Sequence, residues 1–284
     1  SRVSRYKTVD GILYSADMKT LILCPAGKTG EVTIPDGVER IRKQAFFGSK
    51  ISKVVFPDSL VRLQNEAFYG CENLKEIDFG NGIEQIGGAE NKHIFSGCPV
   101  EKLIFPPQVK EIGISAFYSC GELKEIIFEE GLKYIREGAF KNCPKLTEVN
   151  LPESIKNVGL DAFVCEIARE KIQDININLT TIPKGLGRAI IHPGSMQTPR
   201  CVNVHVHNKN ETFDFVIPDC VSATTNGYSE IVTGFNLMSS DPEYCKKFHH
   251  LKWLNTAFMY AANSRFKYVC AYKTYKRTKN ELAK

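Results

Sequence analysis

The sequence predicts a β-rich α+β protein: a solenoid of short stacked units, about 22–23 residues each, with a cap at either end. Three observations predict it. The stretch "AFYGCENLKEIDF" at 67–79 returns almost unchanged as "AFYSCGELKEIIF" at 116–128. Phe46, Phe68, Phe95, Phe117, Phe140 and Phe163 recur at intervals of 22, 27, 22, 23 and 23 residues. Each of the first five is followed, five or six residues on, by an apolar-x-x-apolar-x-apolar run and a turn. Self-similarity at such a period marks stacked supersecondary units, because one short unit cannot cover its own apolar side.

The units occupy 31–165. Their strand runs read Ile51/Val54/Phe56, Leu74/Ile77/Phe79, Val100/Leu103/Phe105, Leu123/Ile126/Phe128 and Leu146/Val149/Leu151. Turns such as "FPDSL" and "LPESI" follow, then a second apolar step, exemplified by Val61 with Leu63, leads to the next Phe. Intervals of 22 arise where one residue is missing between Phe and strand, after Phe46 and after Phe95. The 27-residue unit holds extra letters at 87–93, "GGAENKH", which are expected to loop out from one edge.

"LTEVNLPESIKNVGLDAFVC", 146–165, resembles the repeat of the BspA-like leucine-rich-repeat family: Leu-x-x-[Ile/Val]-x-[Leu/Phe]-Pro, later Ile, then Ala-Phe-x-x-Cys. The resemblance implies a leucine-rich-repeat solenoid that docks a protein or glycan on its sheet and performs no catalysis. It also implies that "DGILYSADMKTLILCP", 10–25, is part of an opening β-hairpin cap spanning 1–30. Here Cys precedes the strand by three residues, which argues against the horseshoe-shaped relatives with a helix in each unit.

Residues 166–284 read as a C-terminal capping region. "DININL", "VNVHVHN" and "TFDFVIPDC" alternate as strands within 170–235, continuing or closing the coil. At 241–282 the period changes. Asp241 is a helix N-cap, Pro242 takes the first helical position, and Tyr244, Phe248, Leu251, Leu254, Phe258 and Ala261 form a helical stripe. Residues 241–284 hold ten Lys/Arg against three Asp/Glu, a balance of +7 that leaves −2 for 1–240. Tyr268, Tyr272 and Tyr275 alternate there with basic residues, so the alternative reading is a nucleic-acid or anionic-surface binder. Packed tyrosines with snorkelling lysines are the simpler account, and nucleic acid is not the expected partner.

Letters between the apolar strand positions point outward. The resulting binding-face candidates are Lys53 and Val55; Lys75, Glu76 and Asp78; Lys102 and Ile104; Lys124, Glu125 and Ile127; Glu148 and Asn150. They form a sheet of mixed charge with an apolar streak at Val55, Ile104 and Ile127. Any one Lys or Glu is readily neutralised by its neighbours, whereas the face as a whole reads as a docking surface for an unknown protein or glycan.

No catalytic, metal or cofactor site is expected. Cys71, Cys98, Cys120, Cys143 and Cys165 share one repeat column with Ser49, a pattern of small buried side chains. Cys-x-x-Cys is absent, which removes zinc-ribbon spacing. "PAGKTG", 25–30, fails the phosphate-loop pattern at Ile22 and reads as a hairpin turn. His205 and His207 share a strand face but bring only two ligands. No apolar run is long enough to span a membrane. The resemblance implies a cell-surface or secreted setting, while ten thiols fit a reducing interior; a monomer is expected.

Overall fold

The computed structural model describes residues 5–165, 173–179, 183–184, 202–208 and 211–217. The chain opens with β1 (Tyr6–Val9), β2 (Ile12–Ser15) and β3 (Thr20–Leu23), antiparallel in that order. From there each unit contributes one longer strand and one two-residue strand. The longer strands are β4 (Thr29–Thr33), β6 (Lys50–Val55), β8 (Glu76–Asp78), β10 (Lys102–Phe105), β12 (Glu125–Phe128) and β14 (Glu148–Asn150). They stack in parallel as the main face, whose ladder divides between β8 and β10 and again between β12 and β14. The short strands are β5 (Arg40–Ile41), β7 (Arg62–Leu63), β9 (Gln85–Ile86), β11 (Glu111–Ile112), β13 (Tyr134–Ile135) and β15 (Asn157–Val158). They stack as a return face, and β3 pairs with β5 at its start.

A third row of rung-to-rung hydrogen bonds runs along the Ala-Phe corner. The Phe46 N–H donates to Ala67 O at 2.8 Å, Phe95 to Ala116 at 2.8 Å, and Phe117 to Ala139 at 2.8 Å. Overlapping i→i+3 turns build this corner, with Phe47 N–H donating to Gln44 O and Ser49 N–H to Phe46 O. Positive φ falls two residues before each Phe and two residues after each of the first five. Gln44, Glu66, His93, Ser115, Gly138 and Asp161 fill the first position; Gly48, Gly70, Gly97, Ser119 and Asn142 fill the second. None is β-branched, as left-handed backbone demands.

Two stacks of aromatic rings run through the otherwise largely aliphatic core between the three rows. Phe46, Phe68, Phe95, Phe117, Phe140 and Phe163 stack one on the next at 4.4, 4.9, 5.2, 5.4 and 5.7 Å between centroids, with planes within 17°. Phe79, Phe105 and Phe128 form a parallel stack at 5.2 and 5.5 Å, meeting the first edge-to-face, as at Phe79–Phe95. Offset stacks and T-shaped contacts are the geometries that ring quadrupoles favour.

The sheet continues past the repeats. β16 (Gln173–Asn178) pairs in parallel with β14, β17 (Val202–Asn208) in parallel with β16, and β18 (Glu211–Ile217) closes the sheet antiparallel to β17.

Two expectations change, and one falls outside the described residues. No helix occurs among the described residues; the helical cap placed at 241–282 lies outside them. Val61 is 59% exposed, while Leu63 and Leu60 are buried, because a two-residue return strand has a single inward position and Val61 sits at the corner before it. The 25–28 turn, closed by Lys28 N–H to Pro25 O, is a corner between the return and main faces rather than a hairpin, since β3 and β4 belong to different sheets.

Candidate binding face

The main face presents its outward residues in columns fixed by the parallel register. Glu31 aligns with Lys53 and Lys53 with Glu76; Lys102 aligns with Glu125; Glu148 aligns with Asn176. Opposite charges therefore sit on adjacent rungs. Lys53 Nζ lies 3.9 Å from Glu31 and 3.6 Å from Glu76, and Lys102 lies 2.9 Å from Glu125. Lys124 reaches Glu101 at 2.7 Å, and the hydrogen bond holds the Glu101 carboxyl below the usual carboxylate range. Glu148 accepts from Asn178 Nδ2 at 2.9 Å, and the same amide donates to Asn150 Oδ1 at 2.6 Å. Asp78 accepts from the backbone of Gly80, and Lys75 stands exposed beside them.

Exposed pairs of this kind contribute little stability each, since water screens them and long side chains lose freedom. Their consequence is a face whose charges largely cancel. Apart from Lys75, what remains uncancelled is apolar or amide: Val55 and Ile127, half-buried; Ile104, 50% exposed; and the Asn150–Asn178 pair. Ile104 and Ile127 are register partners on β10 and β12.

Asn176 and Asn178 extend the face beyond Cys165, which the repeat reading did not include; the signal was the alternation in "DININL". His205 and His207 align with Asn176 and Asn178. Two further features escaped the sequence. Phe47 and Tyr69, 52% and 41% exposed, stack at 5.8 Å on the Ala-Phe corner. An open cleft of about 560 Å³ lies where β7 and β9 part, between Val61, Arg62, Glu84 and the 87–91 turn that loops out as expected.

The cysteine column is structural. Cys71, Cys98, Cys120 and Cys143 donate their Sγ–H to the carbonyls of Phe46, Phe68, Phe95 and Phe117, at 3.0–3.4 Å. Ser49 closes the column against Cys71 at 3.5 Å. Burial pushes three of these thiols up, Cys98 and Cys143 well above the ordinary value and Cys120 to about 12, while the hydrogen bond with the Cys98 thiol draws Cys71 below it. At Cys98, Cys120 and Cys143 the thiol is held neutral, and a neutral buried thiol is a poor nucleophile and a poor metal ligand. Among the described residues no three His, Cys, Asp or Glu stand together as a metal site, and none forms a helix able to cross a membrane.

The profile of the BspA type leucine-rich repeat region matches residues 26–90 and 90–186, in six copies. The chain belongs to this family. As a BspA-type leucine-rich-repeat chain it is similar to several solved structures. The pneumococcal vaccine antigen PcpA is 22% identical, with a TM-score of 0.45 over 58% of this chain and 48% of that one. A leucine-rich repeat protein from Bacteroides ovatus is 18% identical, with 0.42 over 62% of this chain and 63% of that one. The leucine-rich repeat protein of T. pallidum is 25% identical, with 0.41 over 57% and 86%. The chain thus spans about half to two thirds of the length of the first two. A comparison with curated proteins returns no match.

Proposed function

We propose that this BspA-type chain is a non-catalytic binding module that docks a protein or glycan on its main sheet face. Repeats of this family generally serve binding. The observation that carries the reading is Ile104: half exposed in the middle of a rung-regular sheet, beside Ile127 and between charge pairs already closed on themselves. An apolar anchor ringed by internally satisfied polar groups is how interface hot spots are organised. Lys53, Lys75, Glu76, Asp78, Lys102, Lys124, Glu125, Glu148 and Asn150 form the rim, which sets specificity and approach more than affinity.

The test is a double substitution, Ile104→Asp with Ile127→Asp, measured by quantitative partner capture and by thermal melting. Ile104 is half exposed, so the fold should persist while capture falls by about tenfold or more. Reversal of Glu76, Glu125 and Glu148 to Lys should weaken capture as well, by exposing lysines that lack partners. Capture unchanged by either set refutes the face.

A further inference from the structure

We propose that the C-terminal rungs of the return face hold a second site, a lysine row that binds an acidic polysaccharide. Lys110, Lys133 and Lys156 occupy one column on three consecutive rungs. The Lys133 N–H donates to Lys110 O at 2.9 Å and the Lys156 N–H to Lys133 O at 2.9 Å, so their order and spacing are set by backbone bonds. Lys184, on the next rung and one position along, donates its N–H to Lys156 O at 3.0 Å and bridges to Asn157. Lys133, Lys156 and Lys184 are exposed.

Among the described residues no carboxylate pairs with this row. Lys110 Nζ donates to the Pro107 carbonyl at 2.9 Å. Glu111 in the adjoining column is taken by Arg136 through two bonds of 2.9 and 2.8 Å. Glu130, in the preceding turn, accepts from the backbone N–H groups of Glu153 and Ser154. Glu84 ends the column one rung before Lys110. The contrast lies within the same molecule: on the main face Glu31, Lys53 and Glu76 alternate from rung to rung, as do Lys102 and Glu125. Like charges on directly neighbouring strands repel. An external polyanion aligned with the solenoid axis relieves that repulsion.

The geometry selects among polyanions. Rungs repeat at about 4.8 Å, so the row sets a line of cations along the solenoid axis, along which a flexible acidic glycan can lay those of its carboxylate or sulfate groups that face the protein. Single-stranded nucleic acid needs free aromatic faces on which bases stack. Tyr134, the ring beside the row, has the Arg136 guanidinium over it at 5.3 Å. Asn157, also beside the row, offers an amide to sugar hydroxyls.

The experiment measures binding of the full chain to polygalacturonate, dextran sulfate, neutral dextran and oligo(dT) across a salt series. Both acidic glycans should bind, neutral dextran should not, and affinity should fall as salt rises. Lys133→Glu with Lys156→Glu should weaken glycan binding by about tenfold or more, whereas Lys133→Arg with Lys156→Arg should retain it. Lys7→Glu with Lys43→Glu, at exposed lysines outside both sites, makes the same change in net charge and should leave glycan binding near the unsubstituted level. If the reversed pair fails to fold, Lys133→Gln with Lys156→Gln is read instead, with a smaller loss in the same direction. Glycan binding that survives these substitutions, an equal loss from the Lys7/Lys43 pair, no binding of either glycan, or tighter binding of oligo(dT) overturns the proposal.

Discussion

Phe117 shows what one position contributes. Its ring is fully buried, 5.2 Å from Phe95 and 5.4 Å from Phe140, and meets Phe79 and Phe105 edge-on. Phe117→Ala should cost about 3–5 kcal/mol in urea unfolding, since a close-packed stack cannot collapse into the hole. Cys120 is a second case. Its thiol sits near 12 when folded, against 9.0 as its ordinary value, and burial is the main cause. The stability it contributes is fully present below about pH 9 and is lost as pH climbs from there towards 12, because only the unfolded chain ionises freely in that window. Alkylation of the native chain at pH 8 should therefore follow unfolding, while denatured chain reacts at once. Both residues were legible in the sequence, because a column repeated five or six times declares its environment. Val61 was not: it sits in one unit only, and its column elsewhere holds Glu84, Lys110, Lys133 and Lys156. A single copy of an apolar letter carries no column information.

At the scale of one strand, register does what propensity does not. The return strands are two residues long and have no stability of their own. They persist because each has one inward residue, such as Ile112 or Ile135, and ladder partners on the neighbouring rungs. Side-chain bridges between rungs add to this. Arg136 on the unit of β13 grips Glu111 of β11, whose side chain is only 10% exposed. Arg136→Ala leaves that carboxylate poorly solvated and should cost about 1–2 kcal/mol, discounted because the guanidinium is itself 44% exposed. Backbone contact sets a stricter limit at Gly82, where a Cβ would lie 1.9 Å from Asp58 O. Gly82→Ala should lower the melting temperature by shifting that corner, and calorimetry will show it. The repeats were readable at this scale because their turns recur. The outlooped 87–91 turn was readable as an excess of letters, but the cleft beside it was not, since it depends on where β7 and β9 part.

Across the whole molecule, the solenoid is a one-dimensional assembly in which each rung touches only its neighbours. Deletion of one complete unit, residues 118–140, should give a chain that still folds, with a lower denaturant slope in proportion to the surface removed. Deletion of half a unit breaks all three ladders and should abolish folding. The extent of the sheet was partly legible: "DININL" and "VNVHVHN" alternate as strands, yet nothing in the letters says that β16 continues the main face on β14 rather than starting a new sheet. Parallel register with the Glu148–Asn150 rung does so, and it makes the candidate face longer than the repeats. The most direct measurement is quantitative capture from an extract of the source organism by the intact chain, beside its Ile104→Asp/Ile127→Asp variant at equal melting temperature. The account predicts a specific partner retained by the first and lost by the second; equal retention by both contradicts it.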